Sequence, residues 1–127
     1  MCFNVENPVE NVDKVPPLYK KCGKLEIPFV KLKPGCLTPS RQTAGSAGCD
    51  LCACIPGPQV LRPGEVFLVP LGFAAEIPQG YAGFVFSRSG LGSKRGVVVA
   101  QGVGVIDSDY RGEWLVPLRN LGTEDYV

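Results

Sequence analysis

EVFLVPLGF, residues 65–73, is the stretch on which the fold turns. It is short and rich in β-branched and aromatic residues, and the longest apolar run, Val66 to Ala75, is broken by Pro70 and Gly72. Such a run is too short and too interrupted for a membrane span and suits a strand. Outward from it the same pattern recurs, with short apolar stretches cut every eight to twelve residues by PG at 34, PGP at 56, PG at 63, PQG at 78 and SGLG at 89. That spacing predicts an all-β sandwich or barrel. Strands are expected within Glu26–Lys33 (EIPFVKLK), Tyr81–Ser87 (YAGFVFS, with Phe84 and Phe86 on one face), Gly96–Ala100, Val103–Ile106 and Glu113–Arg119. No ten-residue window free of Gly and Pro shows a helical face. Pro70 and Pro117 imply edge strands or bulges, because proline cannot donate to a ladder.

Residues 1–24 differ: VENPVENVDKVPPLYKKCGK mixes acids, bases and prolines without a period, as a flexible arm would. The 127-residue chain thus reads as an arm over 1–24 and one domain over 25–127. With 13 Lys and Arg against 12 Asp and Glu, it has no general electrostatic footprint for a nucleic acid polymer or an anionic membrane. There is no histidine, which removes the Ser-His-Asp triad, the Cys-His pair, the HExxH helix and the Cys2His2 finger. An acid or base working near pH 7 must be a carboxylate, Lys, Cys or Tyr. No apolar h-region opens the chain, so an intracellular protein (cytoplasm or nucleus) is expected. The six cysteines (Cys2, Cys22, Cys36, Cys49, Cys52, Cys54) include one CxxC but no second pair at zinc-ribbon spacing, and read as reduced apolar fillers. If GCDLCACI is a strand, Cys52 and Cys54 share a face and Cys49 takes the other.

Three stretches gather Gly with polar and charged residues: AGSAGCDLCA (44–53), SRSGLGSKRG (87–96) and QGVGVIDSDYRGE (101–113). The second fails the P-loop pattern, since Arg95 follows Lys94 and no helix is expected next. Its Arg88, Ser89 and the amides near Gly90 suit either a phosphate nest or a plain connecting turn. In the third, Asp107 directly follows Val105 and Ile106. An apolar flank desolvates a carboxylate and raises its basicity, as a general base requires; an Asp capping its own turn explains the spacing equally well. Asp50, the only carboxylate of the first stretch, needs either a backbone partner or a metal nearby.

These three stretches, in this order, resemble motifs of the trimeric deoxyuridine triphosphatase (dUTPase) family over about residues 25–127. RSGLG followed by GVIDSDYRG is far more specific than any short phosphate motif. The resemblance implies a jelly-roll-like β-barrel, a homotrimer with sites built across subunit boundaries, and hydrolysis of dUTP to dUMP and pyrophosphate by water attack on the α-phosphorus. It makes Asp107 the base and has Asp50 bind Mg²⁺ through a water. Arg88, Ser89 and Gly90 cradle the phosphates; Gln101 and the backbone of Val105 and Ile106 read uracil; Tyr110 packs on the deoxyribose and excludes a 2′-hydroxyl. The chemistry is consistent, because phosphoryl transfer asks mainly for positioning and charge neutralisation, and Mg²⁺ takes few protein ligands.

Two features depart from the family pattern. Gln101 stands where many members carry Asn or Gly, which shifts uracil reading toward the backbone. A fourth motif resembling GDRIAQ and a Gly-rich fifth motif are expected beyond NLGTEDYV and do not follow it, so the barrel reads as truncated at its C-terminus. The alternative reading is therefore a non-catalytic dUTPase-like module that binds nucleotide or a protein partner, with the terminal EDYV loosely PDZ-like. A dCTP deaminase relative is a third, for which IDSDYRGE is the wrong version.

Overall fold

Gly and Pro cut the chain into strands of three to six residues, so no strand can build a sheet with its immediate neighbour alone. The computed structural model describes residues 25–127; the arm expected over 1–24, with Cys2 and Cys22, lies outside the described residues. Seven strands and one helix follow in order: β1 (Phe29–Lys31), β2 (Val66–Pro70), β3 (Phe73–Ala75), β4 (Gly83–Phe86), α1 (Ser89–Arg95), β5 (Val97–Val99), β6 (Val103–Ile106) and β7 (Leu115–Asn120). All ladders are antiparallel: β1 with β3, β2 and β5 on either side of β7, and β4 with β6. No two consecutive strands pair, so the chain crosses from sheet to sheet as a jelly roll does rather than meandering. The expected strands all form; β3, hidden inside the run that begins with Val66, is additional.

Two expectations are corrected. Pro70 does lie on an edge strand, but Pro117 sits in β7, the middle strand. On one side it faces Leu68 of β2, and on the other its carbonyl accepts from the Ala100 N–H at 2.8 Å. The N–H it lacks would face Ala100, one residue past the end of β5, where the chain already turns with Gly102 N–H on Val99 O at 2.9 Å, so the loss falls outside the paired residues of β5.

The second correction is α1, which occupies the Gly-rich stretch in which no helix was expected. Gly96 ends it at φ 70°, its N–H donating to Gly92 O at 3.1 Å, and Lys94 and Arg95 in the last turn complement the helix dipole. Gly90 and Gly92 are poor helix formers. Packing on β5 offsets this: a Cβ added to Gly92 would lie 3.6 Å from the Val98 side chain. GCDLCACI is likewise not a strand; only Asp50 bridges, to Ser40. The filler reading holds for buried Cys36 and half-buried Cys54, while Cys49 and Cys52 are exposed.

The core gathers around Phe73, 2% exposed, with its ring 5.2 Å from Trp114 and edge-on to Phe29 at 6.3 Å. Val69, Leu71, Val85, Val99 and Val116 close around them. Asn120 at the end of β7 is fully buried and satisfied: its Nδ2 donates to Leu61 O and Glu124 O, each at 2.8 Å, and its Oδ1 accepts from Gly122 N at 2.8 Å. No helix among the described residues is long and apolar enough to cross a membrane.

Candidate active site

The β4–β6 ribbon organises the candidate residues. Its register runs from Gly83↔Ile106 to Phe86↔Val103. Period-2 alternation turns Val85 and Gly104 inward and Phe84, Phe86, Val103 and Val105 outward. Phe84 and Phe86 do share a face, with rings 6.5 Å apart, but it is the solvent face: they are 61% and 68% exposed.

At the Ile106 end of the ribbon the chain turns, with Tyr110 N–H donating to Asp107 O at 3.2 Å. Val105, Ile106, Asp107, Tyr110 and Leu115 line a hollow of about 150 Å³. A cleft of about 70 Å³ shares Val105, Ile106 and Leu115 with it and adds Gln101. All five residues expected to read the base, hold the sugar and abstract the proton thus meet in adjoining spaces. A wider hollow, about 810 Å³, also reaches Asp107 and lies beside Tyr81, Asp109 and Arg111, where Arg111 pairs with Glu76 at 3.1 Å. The smaller space fits the base-reading role better, because its walls are apolar and Tyr110 flanks it. Asp107 itself is exposed, so the desolvation expected from its apolar flank is not achieved within one chain.

The phosphate candidates collect at the opposite end. Arg88, in extended conformation, precedes α1; Leu91 and Gly92 donate to its carbonyl, while the amides of Ser89 and Gly90 come before that ladder begins. The Arg88 guanidinium lies 3.5 Å from Asp50 Oδ2, with the two side chains 70% and 31% exposed. Asp50 is held from behind by its bridge to Ser40, at 2.8 and 3.4 Å. Solvent screens a pair this open, which contributes little to stability and leaves both charges free to meet a ligand. Among the described residues no three His, Cys, Asp or Glu side chains cluster closely enough to hold a metal. A single hard carboxylate oxygen suits Mg²⁺, which keeps most of its waters and takes phosphate oxygens.

The two groups do not meet within one chain. Asp107 lies one residue past Ile106 and Arg88 two residues past Phe86, beyond opposite ends of the paired ribbon; continued at strand spacing, their backbones would stand about 20 Å apart.

Sequence reasoning missed the anchor behind this loop. Glu113, the last residue of the third Gly-rich stretch, faces the barrel: its Oε1 accepts from Lys33 Nζ at 2.7 Å and from the Gly72 amide at 3.0 Å. The Lys33 hydrogen bond, aided by that amide, holds its carboxyl below the usual range. Only the fold brings Lys33 there, and no local pattern signals it.

The sequence model of the dUTPase family matches residues 36–127. A deoxyuridine 5′-triphosphate nucleotidohydrolase of Treponema denticola is 49% identical over 98 residues, covering 77% of this chain and 68% of the relative. One of Desulfitobacterium hafniense is 46% identical over 105 residues, covering 82% and 70%. Among solved structures, a mutant dUTPase from phage phi11 of S. aureus, described with a coordinated structural Mg(II) ion, superposes with a TM-score of 0.69 at 30% identity, covering 76% of this chain and 61% of that one. The Staphylococcus bacteriophage 80alpha dUTPase with dUpNHpp gives 0.69 and 30%, covering 77% and 56%. An all-β chain with these motifs and these relatives belongs to the dUTPase family. It spans about two thirds or less of the length of the proteins it matches.

Proposed function

We propose that this protein hydrolyses dUTP to dUMP and pyrophosphate. The observation that carries the reading is the shared space formed by Gln101, Val105, Ile106, Asp107 and Tyr110, in which a carboxylate, an aromatic wall and strand backbone converge. Water attacks the α-phosphorus and gives a proton to Asp107, while the bond from that phosphorus to the β-bridging oxygen breaks and pyrophosphate leaves with the bond electrons. Val105 and Ile106 present backbone to the uracil edge, with Gln101 beside them, and the Tyr110 ring occupies the space a ribose 2′-hydroxyl would need. Arg88 and the Ser89 and Gly90 amides neutralise and orient the phosphate oxygens, with the Ser89 hydroxyl near the α–β bridge. Asp50 would hold Mg²⁺ through a water. When bound, that ion supplies further charge neutralisation at the triphosphate.

Because about 20 Å separates Asp107 from Arg88 in one chain, both act on one nucleotide only when two copies assemble. The exposed Phe84, Phe86, Val103 and Val105 form an apolar face that a second copy would cover, and a contact between two unlike patches closes into a ring under threefold symmetry. The homotrimer is the form of this reading. Hydrolysis is favoured over a purely binding module by the relatives, which carry the name nucleotidohydrolase. In the test, Asp107→Asn binds dUTP but loses roughly 10²–10⁴ in turnover. A near-normal rate would remove Asp107 from the role of base.

A further inference from the structure

The Tyr110 ring is held by a chain of contacts that ends on the far side of the barrel. Its hydroxyl donates to the Glu113 carbonyl at 2.8 Å. The ring folds so tightly over residue 112 that a Cβ there would lie 2.6 Å from the hydroxyl oxygen, so only Gly permits this pose. Residue 113 therefore decides where the ring stands. Behind it, the Glu113 carboxylate is gripped by Lys33 and by the Gly72 amide, while the next residue, Trp114, exchanges backbone bonds with the turn between β2 and β3: its N–H donates to Phe73 O at 2.9 Å and its carbonyl accepts from Leu71 N at 3.0 Å.

We propose that Lys33 and Glu113 are positioning residues that fix the Tyr110 ring and so set the discrimination between deoxyribose and ribose nucleotides. Neither touches substrate. Tyr110 is 41% exposed and its ring would otherwise be free to turn aside, because an aromatic wall excludes a hydroxyl only while it is held in place. Trp114 alone fixes one side of the peptide unit that carries the acceptor carbonyl. The Lys33–Glu113–Gly72 grip anchors residue 113 through its side chain, on the other side of its Cα from that peptide unit, and so limits how far the residue carrying the carbonyl can shift. The inference rests on the dUTPase reading above.

The experiment compares the 127-residue chain with Glu113→Ala, Glu113→Gln, Lys33→Met, Tyr110→Phe and the double variant Tyr110→Phe/Glu113→Ala. Two quantities are read: the ratio of kcat/KM for dUTP over UTP, and the Tyr110 ring signal by NMR with ¹³C-labelled tyrosine. Glu113→Ala is expected to lower the ratio about tenfold, the worth of one net hydrogen bond, mainly by easing entry of UTP. Lys33→Met and Glu113→Gln lower it less, the amide oxygen still accepting from Gly72. Adding Glu113→Ala to Tyr110→Phe lowers it no further, because the ring without its hydroxyl is already uncoupled from residue 113. An unchanged ratio with an unchanged Tyr110 signal in folded Lys33→Met and Glu113→Gln overturns the proposal, as do additive effects in the double variant. If the unaltered chain has no dUTP hydrolysis while Tyr110 loosens in the variants, the positioning stands and the dUTPase reading falls.

Discussion

Arg88 reaches Asp50 at 3.5 Å, joining the start of α1 to an isolated bridge early in the domain and putting a cation and a carboxylate side by side without burying either. A pair this exposed adds little to the stability of the fold, and the proposed function gives Arg88 a phosphate to meet. Replacing Arg88 by Ala should therefore leave thermal stability nearly unchanged and weaken dUTP binding by roughly 10–100-fold, the worth of a charge-assisted bond to phosphate. Arg88→Lys should recover only part of it, lacking the planar fork. Calorimetric titration beside a melting curve checks both. A large loss of stability with intact affinity would make the pair structural.

The distance between Arg88 and Asp107 predicts complementation. Arg88→Ala and Asp107→Asn chains should each be strongly impaired alone at dUTP below saturation, and after joint unfolding and reassembly some sites should combine an intact Arg88 with an intact Asp107. Activity should reappear in the mixture. Its absence, with mixed oligomers verified by mass, would mean that both residues act from one chain.

An outward Phe84→Asp substitution places a charge on the apolar face of the β4–β6 ribbon without touching the core. Sedimentation should then report monomers, and activity should fall with assembly. A variant that stays assembled would remove this face from the interface.

The strands were legible because Gly and Pro punctuate them and each is rich in β-branched or aromatic residues; Phe73–Ala75 was not, being continuous with the run before it. The helix was hidden because Gly90 and Gly92 contradict helix propensity, and its packing against β5 is a tertiary contact that no local pattern reports. At the site, Asp107, Tyr110, Arg88 and Asp50 were readable as residue types in a specific order. That they form two groups at opposite ends of a ribbon depends on the pairing of β4 with β6, strands with a helix and another strand between them, and no local pattern encodes such a pairing.

Asn120 gives a stability prediction. Three hydrogen bonds converge on its fully buried amide and hold the segment from Gly122 to Glu124 against Leu61. Asn120→Ala strands those partners and should cost about 2–4 kcal/mol in denaturant unfolding. A cost under about 0.5 kcal/mol would show that water replaces the amide freely.

Acid should release the Lys33–Glu113 grip. The folded carboxyl is depressed from the ordinary value of 4.5, so its contribution is fully present above that value and is lost as pH falls through the lower folded one. Unfolding monitored from pH 6 down to about pH 3 should show part of the acid destabilisation missing in Glu113→Gln, in which nothing titrates at this position. Glu65, lowered likewise by the Arg62 amide and side chain, is the background to subtract. Identical acid slopes for the two proteins would contradict the prediction.

Pro117 matters to more than the ladder it interrupts. In the observed register the donor it lacks would face Ala100, one residue past the end of β5 and already in the turn. Sliding β7 by two residues toward the interior of β5 would keep every side chain on its proper face and so escape the usual penalty of a misaligned sheet, but it would set the proline against a paired carbonyl and leave that acceptor unfilled. One imino acid in the middle strand thus disfavours an alternative alignment that hydrophobic patterning cannot tell from the observed one.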